Sequence, residues 1–167
     1  MPQTDYTIML GSAIFSDCGR YRYVLRRTWR ADGRTVLIIG LNPSTADASN
    51  DDPTIRRCVR FAKDWGYGSL IVANLFAFRA TQPAMLRTVR DPTGPRNDWW
   101  LTRLARQADL TVAAWGMHGS LIARDARVLR KLSDVYCLGL TKGGHPKHPL
   151  YLPASRTPVP FGLSVNN

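Results

Sequence analysis

Two asparagines, each at the end of an apolar segment, are the residues of this chain whose type and position best suit chemistry. Residues 36–39 read Val-Leu-Ile-Ile and lead into Gly40-Leu41-Asn42-Pro43-Ser44, and residues 70–73 read Leu-Ile-Val-Ala and lead into Asn74. Short apolar runs of this kind indicate strands buried on both faces. Because ligands bind at the carboxyl ends of strands in open α/β sheets, we expect Asn42 and Asn74 to share one site.

The net charge of the chain indicates which kind of partner it binds. Its 167 residues include 23 Lys and Arg against 12 Asp and Glu, which gives a net charge of +11. Such an excess suits a partner rich in phosphate, since binding then releases condensed counterions. We therefore expect a nucleic acid as the partner, and the arginine-rich hairpin segment (Arg20, Arg22, Arg26, Arg27, Arg30) as a candidate phosphate patch.

Cysteine spacing and hydropathy predict no metal, no cofactor and no membrane segment. The three cysteines, Cys18, Cys58 and Cys137, are scattered and form no CxxC pair, so they indicate reduced thiols and not a zinc or iron–sulfur site. No apolar run approaches the roughly 20 residues that cross a membrane, and the first residues lack a basic and apolar leader. The sequence predicts a cytoplasmic monomer.

The elements that must position the asparagines follow from apolar periodicity and turn residues. The segments 6–15 and 21–30 read as an antiparallel hairpin around the turn Ser16-Asp17-Cys18-Gly19. Strands are expected over 35–41, 69–74, 110–115 and 135–140. Helices are expected from Asp52-Pro53 to about residue 65 and over 82–88, 96–107 and 120–132.

This alternation predicts an α/β fold, a three-layer α/β/α sandwich with a central four-stranded, mainly parallel sheet and an N-terminal β-hairpin. One domain is expected over 1–167. It divides into a hairpin extension at 1–34, a core at 35–152 and a C-terminal coil at 153–167.

Four segments, in order, resemble the motifs of the uracil-DNA glycosylase superfamily. Residues 40–44, Gly-Leu-Asn-Pro-Ser, look like its first motif in the mismatch-specific form, where Asn replaces Asp. Residues 65–74 are similar to its second strand, 114–119 (Ala-Trp-Gly-Met-His-Gly) to its third, and 144–150 (Gly-His-Pro-Lys-His-Pro-Leu) to its His-Pro segment. The longer signature GLNPSTAD…NDDPTIRRC also resembles a bacterial domain family of uncharacterised function.

The resemblance implies a glycosylase that hydrolyses the N-glycosidic bond of a flipped, modified or mismatched pyrimidine in DNA. Asn42 would orient the water, and His145 would donate to the base as negative charge develops. Asn74 would read the pyrimidine edge. The further site residues are Gly40, Leu41, Pro43, Ser44, Phe76 and His148 against the substrate, and Arg79, Lys142 and Lys147 against the nucleic-acid backbone. Ser44 stands where uracil-specific members carry a bulky Tyr, so the pocket should admit C5 substituents.

Several alternatives stay open at this level. Asn42 could simply satisfy a turn, and Asn74 could cap the next segment. His145 fits the motif better than His148, yet the sequence does not decide between them. Because Asn42 cannot act as a base, Asp47, Asp51 and Asp52 are candidate substitutes. The chain could also be a nucleic-acid-binding module without activity, or a hydrolase of nucleosides or nucleotides.

Overall fold

The alternating apolar segments form a mixed seven-stranded sheet in a computed structural model that describes residues 9–162. The strands are β1 (Leu10–Phe15), β2 (Arg22–Thr28), β3 (Thr35–Gly40), β4 (Ser69–Asn74), β5 (Leu110–Ala113), β6 (Val135–Cys137) and β7 (Val159–Pro160). Their order across the sheet is β1-β2-β4-β3-β5-β6-β7. Residues 6–8, expected in the first strand, lie outside the described range.

The strands at the centre of the sheet pair in parallel, and the strands at its two edges pair antiparallel to their neighbours. Strand β3 pairs in parallel with β4 and β5, and β5 pairs in parallel with β6. The hairpin β1–β2 extends the sheet because β2 runs antiparallel to β4, with Leu25 opposite Val72. Strand β7 joins the other edge from a segment expected as coil. The predicted α/β class is confirmed, but the sheet is wider than the four strands expected.

Helices cover both faces of the sheet. They are α1 (Pro53–Asp64), α2 (Asn97–Gln107) and α3 (Arg124–Leu129), with 3₁₀ turns at Pro83–Arg87 and Met117–Ala123. Along β3, Val36 and Ile38 pack on the side of α1, whereas Leu37 and Ile39 pack on the side of α2 and α3. This alternation buries residues 36–39 of β3 on both faces, as the continuous apolar run predicts.

Helix α1 begins where the sequence places it, and the last helix does not extend as far as expected. The Asp52 side chain accepts a hydrogen bond from the backbone N–H of Ile55 (2.9 Å), and Pro53 occupies the first turn. The helix expected over 120–132 is instead a 3₁₀ turn followed by α3. It is interrupted because Ile122 and Ala123 adopt left-handed backbone conformations, with φ of 50° and 54°.

The described part of the chain contains three free thiols and no element suited to crossing a bilayer. Within residues 9–162 no helix combines the length and apolar character that a membrane span requires. Cys58 and Cys137 are buried and Cys18 is exposed, and all three are free.

Candidate functional site

A cavity of about 550 Å³ opens at the carboxyl ends of β3, β4 and β5, beside the first turn of α1. Ligand sites in proteins have volumes of roughly 300–1,000 Å³. Its wall is formed by Gly40 to Thr45, Asp52 to Ile55, Asn74, Ala114 to His118, His148 to Leu150, and Arg22 with several apolar side chains. The structure thus brings Asn42 and Asn74 into one cavity, at the sheet edge where ligands bind in α/β folds.

The side chain of Asn42 is fixed by the loop that it faces. Its Nδ2 donates to the carbonyl oxygens of Ala80 (2.8 Å) and Pro43 (3.0 Å). The backbone N–H of Ala80 in turn donates to the Pro43 carbonyl (2.9 Å). Because the amide nitrogen is committed to backbone acceptors, Oδ1 is the atom of Asn42 that is left to accept a hydrogen bond from water or a ligand.

Asn74 presents a buried donor without a partner. Its side chain is 3% exposed, and its Nδ2 makes no hydrogen bond with any described residue. Asn97 of α2 fixes the end of β4, because its Nδ2 donates to the backbone carbonyls of Asn74 (2.9 Å) and Leu75 (3.0 Å). Since buried polar groups in folded proteins are nearly always bonded to protein or water, the Nδ2 of Asn74 is a donor available to a water molecule or a ligand in the cavity.

Space for Asn74 depends on the neighbouring strand. Gly40 lies opposite Asn74 in the parallel register of β3 and β4. A Cβ atom at position 40 would lie 2.9 Å from Asn74 Oδ1, which is closer than nonbonded contacts allow. Glycine at the end of β3 is therefore needed for the observed position of the Asn74 amide.

Of the two candidate histidines, His148 lines the cavity and His145 does not. His145 contributes its backbone to a tight turn, since its N–H donates to Thr141 Oγ1 (3.2 Å) and its carbonyl accepts from the Thr141 N–H (2.8 Å). The Gly116 N–H donates to the carbonyl of Pro146 (2.8 Å) and so ties this loop to the end of β5. That docking carries the chain past position 145 and brings His148 to the wall, opposite to the preference drawn from the motif.

The environment of His148 favours its neutral form. Desolvation by the surrounding protein lowers its pKa, and the Asp52 carboxylate partly opposes this shift. The backbone N–H of Leu150 donates to Nδ1 (3.2 Å), so the proton of the neutral ring is assigned to Nε2. His148 therefore offers an N–H donor at the cavity. Arg57 of α1 donates to the Leu152 carbonyl and holds this segment against the helix.

The remaining predicted residues divide between the wall and other parts of the molecule. Gly40, Leu41, Pro43 and Ser44 line the cavity. Phe76 is fully buried in the core on the side of α2 and does not reach the cavity, because β4 leads it under that helix. Arg79, Lys142 and Lys147 also lie outside the wall. Arg79 donates to the Gly19 carbonyl (3.1 Å) and lies over the Phe15 ring, which gives it a structural contact with the hairpin.

Only one of the three candidate carboxylates lines the cavity. Asp47 Oδ1 accepts from the backbone N–H groups of Ser49 (3.0 Å) and Asn50 (2.8 Å) and closes the loop. Asp51 forms an ion pair with Arg27 (2.9 Å). Asp52, the N-cap of α1, is part of the wall.

Sequence reasoning missed Arg22, which it grouped with the surface arginines of the hairpin. Arg22 is 2% exposed and lines the cavity, and its Nη1 donates to the Ala46 carbonyl (3.0 Å). Burial lowers its pKa to about 10, with Asp52 opposing the shift, so the guanidinium stays charged at neutral pH. The pairing of β2 with β4 determines this position, and no local pattern reveals that pairing.

Two features of the cavity limit its chemistry. Burial raises the pKa of the Cys58 thiol to about 12, so this wall residue is not a ready nucleophile. Across residues 9–162, no three His, Cys, Asp or Glu side chains are grouped so that they could hold a metal ion. His118, which the sequence places in the third motif segment, is exposed and also lies in the wall.

Comparison with known proteins gives a family for the chain. No curated protein matches it. Residues 22–150 match the model of a family described as "Protein of unknown function (DUF1643)". This range runs from Arg22 to Leu150 and so contains every residue that lines the cavity. Because the match covers well over half of the sequence, the chain belongs to the DUF1643 family.

Proposed function

We propose that the protein is a DNA glycosylase that hydrolyses the N-glycosidic bond of an extruded pyrimidine. The observation that carries the proposal is the cavity at the carboxyl ends of β3 and β4, where Asn42, Asn74 and His148 meet. Two amides and a neutral imidazole can together orient water, bind a base edge and donate to an oxygen. These are the tasks that N-glycosidic hydrolysis requires.

The chemistry divides among the wall residues. Asn42 Oδ1 accepts a hydrogen bond from the attacking water, with its nitrogen held by backbone carbonyls. Asp52 is the carboxylate in the wall and can take the proton that the water loses. As the sugar develops oxocarbenium character, negative charge grows on the departing base, and the Nε2–H of His148 stabilises it.

Recognition depends on Asn74 and Ser44. The free Nδ2 of Asn74 donates to a carbonyl of the base, and its oxygen can accept from an adjacent ring N–H. Ser44 is a small residue in the same wall, and its size leaves room for a C5 substituent. The substrate is therefore an oxo-pyrimidine that carries a methyl group or a larger group at C5.

Two further observations support a nucleic-acid substrate and a uracil-DNA glycosylase-like fold. The net charge of +11 suits a polyanion. Each of the four motif segments contains or follows one of the strands β3, β4, β5 and β6, and these strands form one parallel block within the sheet, with helices on both faces.

The test is cleavage of oligonucleotides that carry uracil, mispaired thymine or C5-substituted pyrimidines, followed by alkaline scission at abasic sites. Wild-type protein should produce strand breaks at a C5-substituted base. Asn42→Ala should reduce product formation roughly a hundredfold while DNA binding changes less than about tenfold. Undiminished product from Asn42→Ala would remove Asn42 from the mechanism.

The two histidines provide a matched pair for the same assay. His148→Ala should lower the cleavage rate, because it removes the wall donor, whereas His145→Ala should change it little. A larger loss from His145→Ala than from His148→Ala would contradict the assignment. Strict preference for uracil over C5-substituted bases would refute the role given to Ser44.

A second function is favoured by one observation. The side-chain nitrogen of Asn42 serves the turn itself, as it would in a binding module that retains the fold without the reaction. Such a module would bind DNA with a steep dependence on salt and release no base. Cleavage of free nucleosides or nucleotides in the absence of polymer would instead establish a hydrolase of small substrates.

A further inference from the structure

Among residues 9–162, three arginines are buried almost completely, and one of them has no carboxylate partner. Arg27 pairs with Asp51 (2.9 Å), and Arg124 pairs with Asp98 (2.6 Å). Arg22, 2% exposed, forms no ion pair with a described residue. A buried charge without a partner is costly, and proteins normally pair it. The unpaired guanidinium therefore requires an explanation of its own.

The position of Arg22 indicates what its partner is. Its Nη1 is committed to the Ala46 carbonyl, but its Nε has no hydrogen-bond partner, and the side chain lines the strand-end cavity. The free Nδ2 of Asn74 lies in the same wall. With Trp115 Nε1, they make three unpartnered buried donors on residues of this wall, and such a set matches a ligand rich in acceptors. A guanidinium in particular matches the paired oxygens of a carboxylate or phosphate.

The carboxylate in the wall does not occupy this position. Asp52 forms no ion pair with Arg22, and one of its oxygens accepts the Ile55 N–H at the first turn of α1. The positive end of that helix dipole stabilises the charge of Asp52 locally. The Asp52 charge acts on Arg22, yet Arg22 Nε still has no acceptor among the described residues.

We propose that the cavity takes a ligand that bears a negatively charged oxygen group, a carboxylate or a phosphate, which binds Arg22 while Asn74 binds a neighbouring carbonyl. The inference rests on the proposed function, which makes that ligand a pyrimidine derivative. The charged group has two chemical sources: an acidic substituent at C5 of the base, for which Ser44 leaves room, or a phosphate of the nucleotide. Arg22 is then a specificity-determining residue of the cavity.

The experiment is isothermal titration of the protein with four probes: uracil, 5-carboxyuracil, 2′-deoxyuridine 5′-monophosphate and inorganic phosphate. At least one charged pyrimidine should bind ten times or more as tightly as uracil. Arg22→Gln should abolish this preference, and Arg90→Gln, which removes one positive charge from an exposed position outside the cavity wall, should retain it. Preference for 5-carboxyuracil identifies the base substituent as the source. Preference for the monophosphate, with measurable binding of phosphate alone, identifies the phosphate.

A second variant separates ligand binding from folding. Because Arg22 has no ion pair, Arg22→Met should leave the Tm unchanged or raise it, whereas Arg124→Met, which removes the ion pair with Asp98 and the hydrogen bond to the buried Leu75 carbonyl, should lower it. The inference would be overturned if charged and uncharged probes bound equally, or if Arg22→Gln retained the preference. It would also be overturned if Arg22→Met lost as much Tm as Arg124→Met. Cleavage without anion preference would refute only this inference, and anion binding without cleavage would refute only the glycosylase.

Discussion

The parallel strands end in cavities at both edges of the sheet, and the two cavities differ in how their polar atoms are satisfied. The cavity at the amino ends is larger, about 760 Å³ against about 550 Å³. None of its lining residues has a buried side-chain polar atom without a partner. The wall at the carboxyl ends contains three such donors, on Asn74, Arg22 and Trp115. In this molecule, unsatisfied donors distinguish the candidate site, and volume does not.

At the amino-end cavity, the polar groups are satisfied by hydrogen bonds within the chain. Asp109 Oδ2 accepts from the Thr35 N–H (2.8 Å), and the Asp109 N–H donates to the Thr35 carbonyl (2.9 Å). Trp65 Nε1 donates to the Arg156 carbonyl (3.0 Å). These bonds connect neighbouring loops, so the polar groups at this edge stabilise the fold. At the other edge, the corresponding groups remain available to a ligand.

The largest difference between the two cavities is expected when one polar side chain is removed from each. Asn74→Ala should reduce base excision by roughly a hundredfold or more, because it deletes a preorganised contact to the base. Asp109→Ala should leave the excision rate within about twofold and lower the Tm only slightly, since it removes a hydrogen bond to the Thr35 N–H that is exposed to water. Single-turnover cleavage and thermal unfolding of both variants provide the two readouts.

The opposite pattern of activity in the two variants would contradict the assignment of the site to the carboxyl-end cavity. If Asp109→Ala lost activity while Asn74→Ala kept it, the larger cavity would be the site. A larger Tm loss in Asn74→Ala than in Asp109→Ala would mean that Asn74 also serves mainly to stabilise the fold.

A smaller effect on activity should follow from crowding Asn74 and leaving its side chain intact. In Gly40→Ala the added Cβ would lie 2.9 Å from Asn74 Oδ1, so the amide must shift. Displacing a binding group by a fraction of an ångström should slow excision by roughly tenfold. Gly162→Ala is the matched control, since nothing lies within 4 Å of its added Cβ. Equal rates in the two variants would show that Asn74 does not need its observed position.

The smallest expected effect concerns His148 and pH. Its folded-state pKa is lowered, so the unfolded chain takes up the proton first as the pH falls below about 6.5. The neutral His148 ring therefore contributes to the free energy of unfolding at neutral pH, and this contribution is lost as the pH falls from about 6.5 through the lowered pKa. The Tm of His148→Gln should therefore fall less between about pH 7 and pH 5 than that of the wild type, measured by calorimetry. Identical pH profiles in His148→Gln and the wild type would contradict the assigned environment.

The sequence was informative where local chemistry determines structure. Apolar runs followed by asparagine predicted that Asn74 ends a strand and that Asn42 closely follows one, and Asp52-Pro53 predicted the first turn of α1. It was uninformative where tertiary pairing decides. The docking of Gly116 on Pro146 selects His148 over His145, and the pairing of β2 with β4 buries Arg22. The break at Ile122 likewise depends on backbone conformations that its side chain does not favour.

The most direct test of the account is the detection of free base by mass spectrometry after incubation of the wild-type protein with DNA that contains C5-substituted pyrimidines. The account predicts that a pyrimidine base is released, that its amount matches the abasic sites formed, and that Asn74→Ala releases far less. Tight DNA binding with no released base from any of these substrates would contradict it.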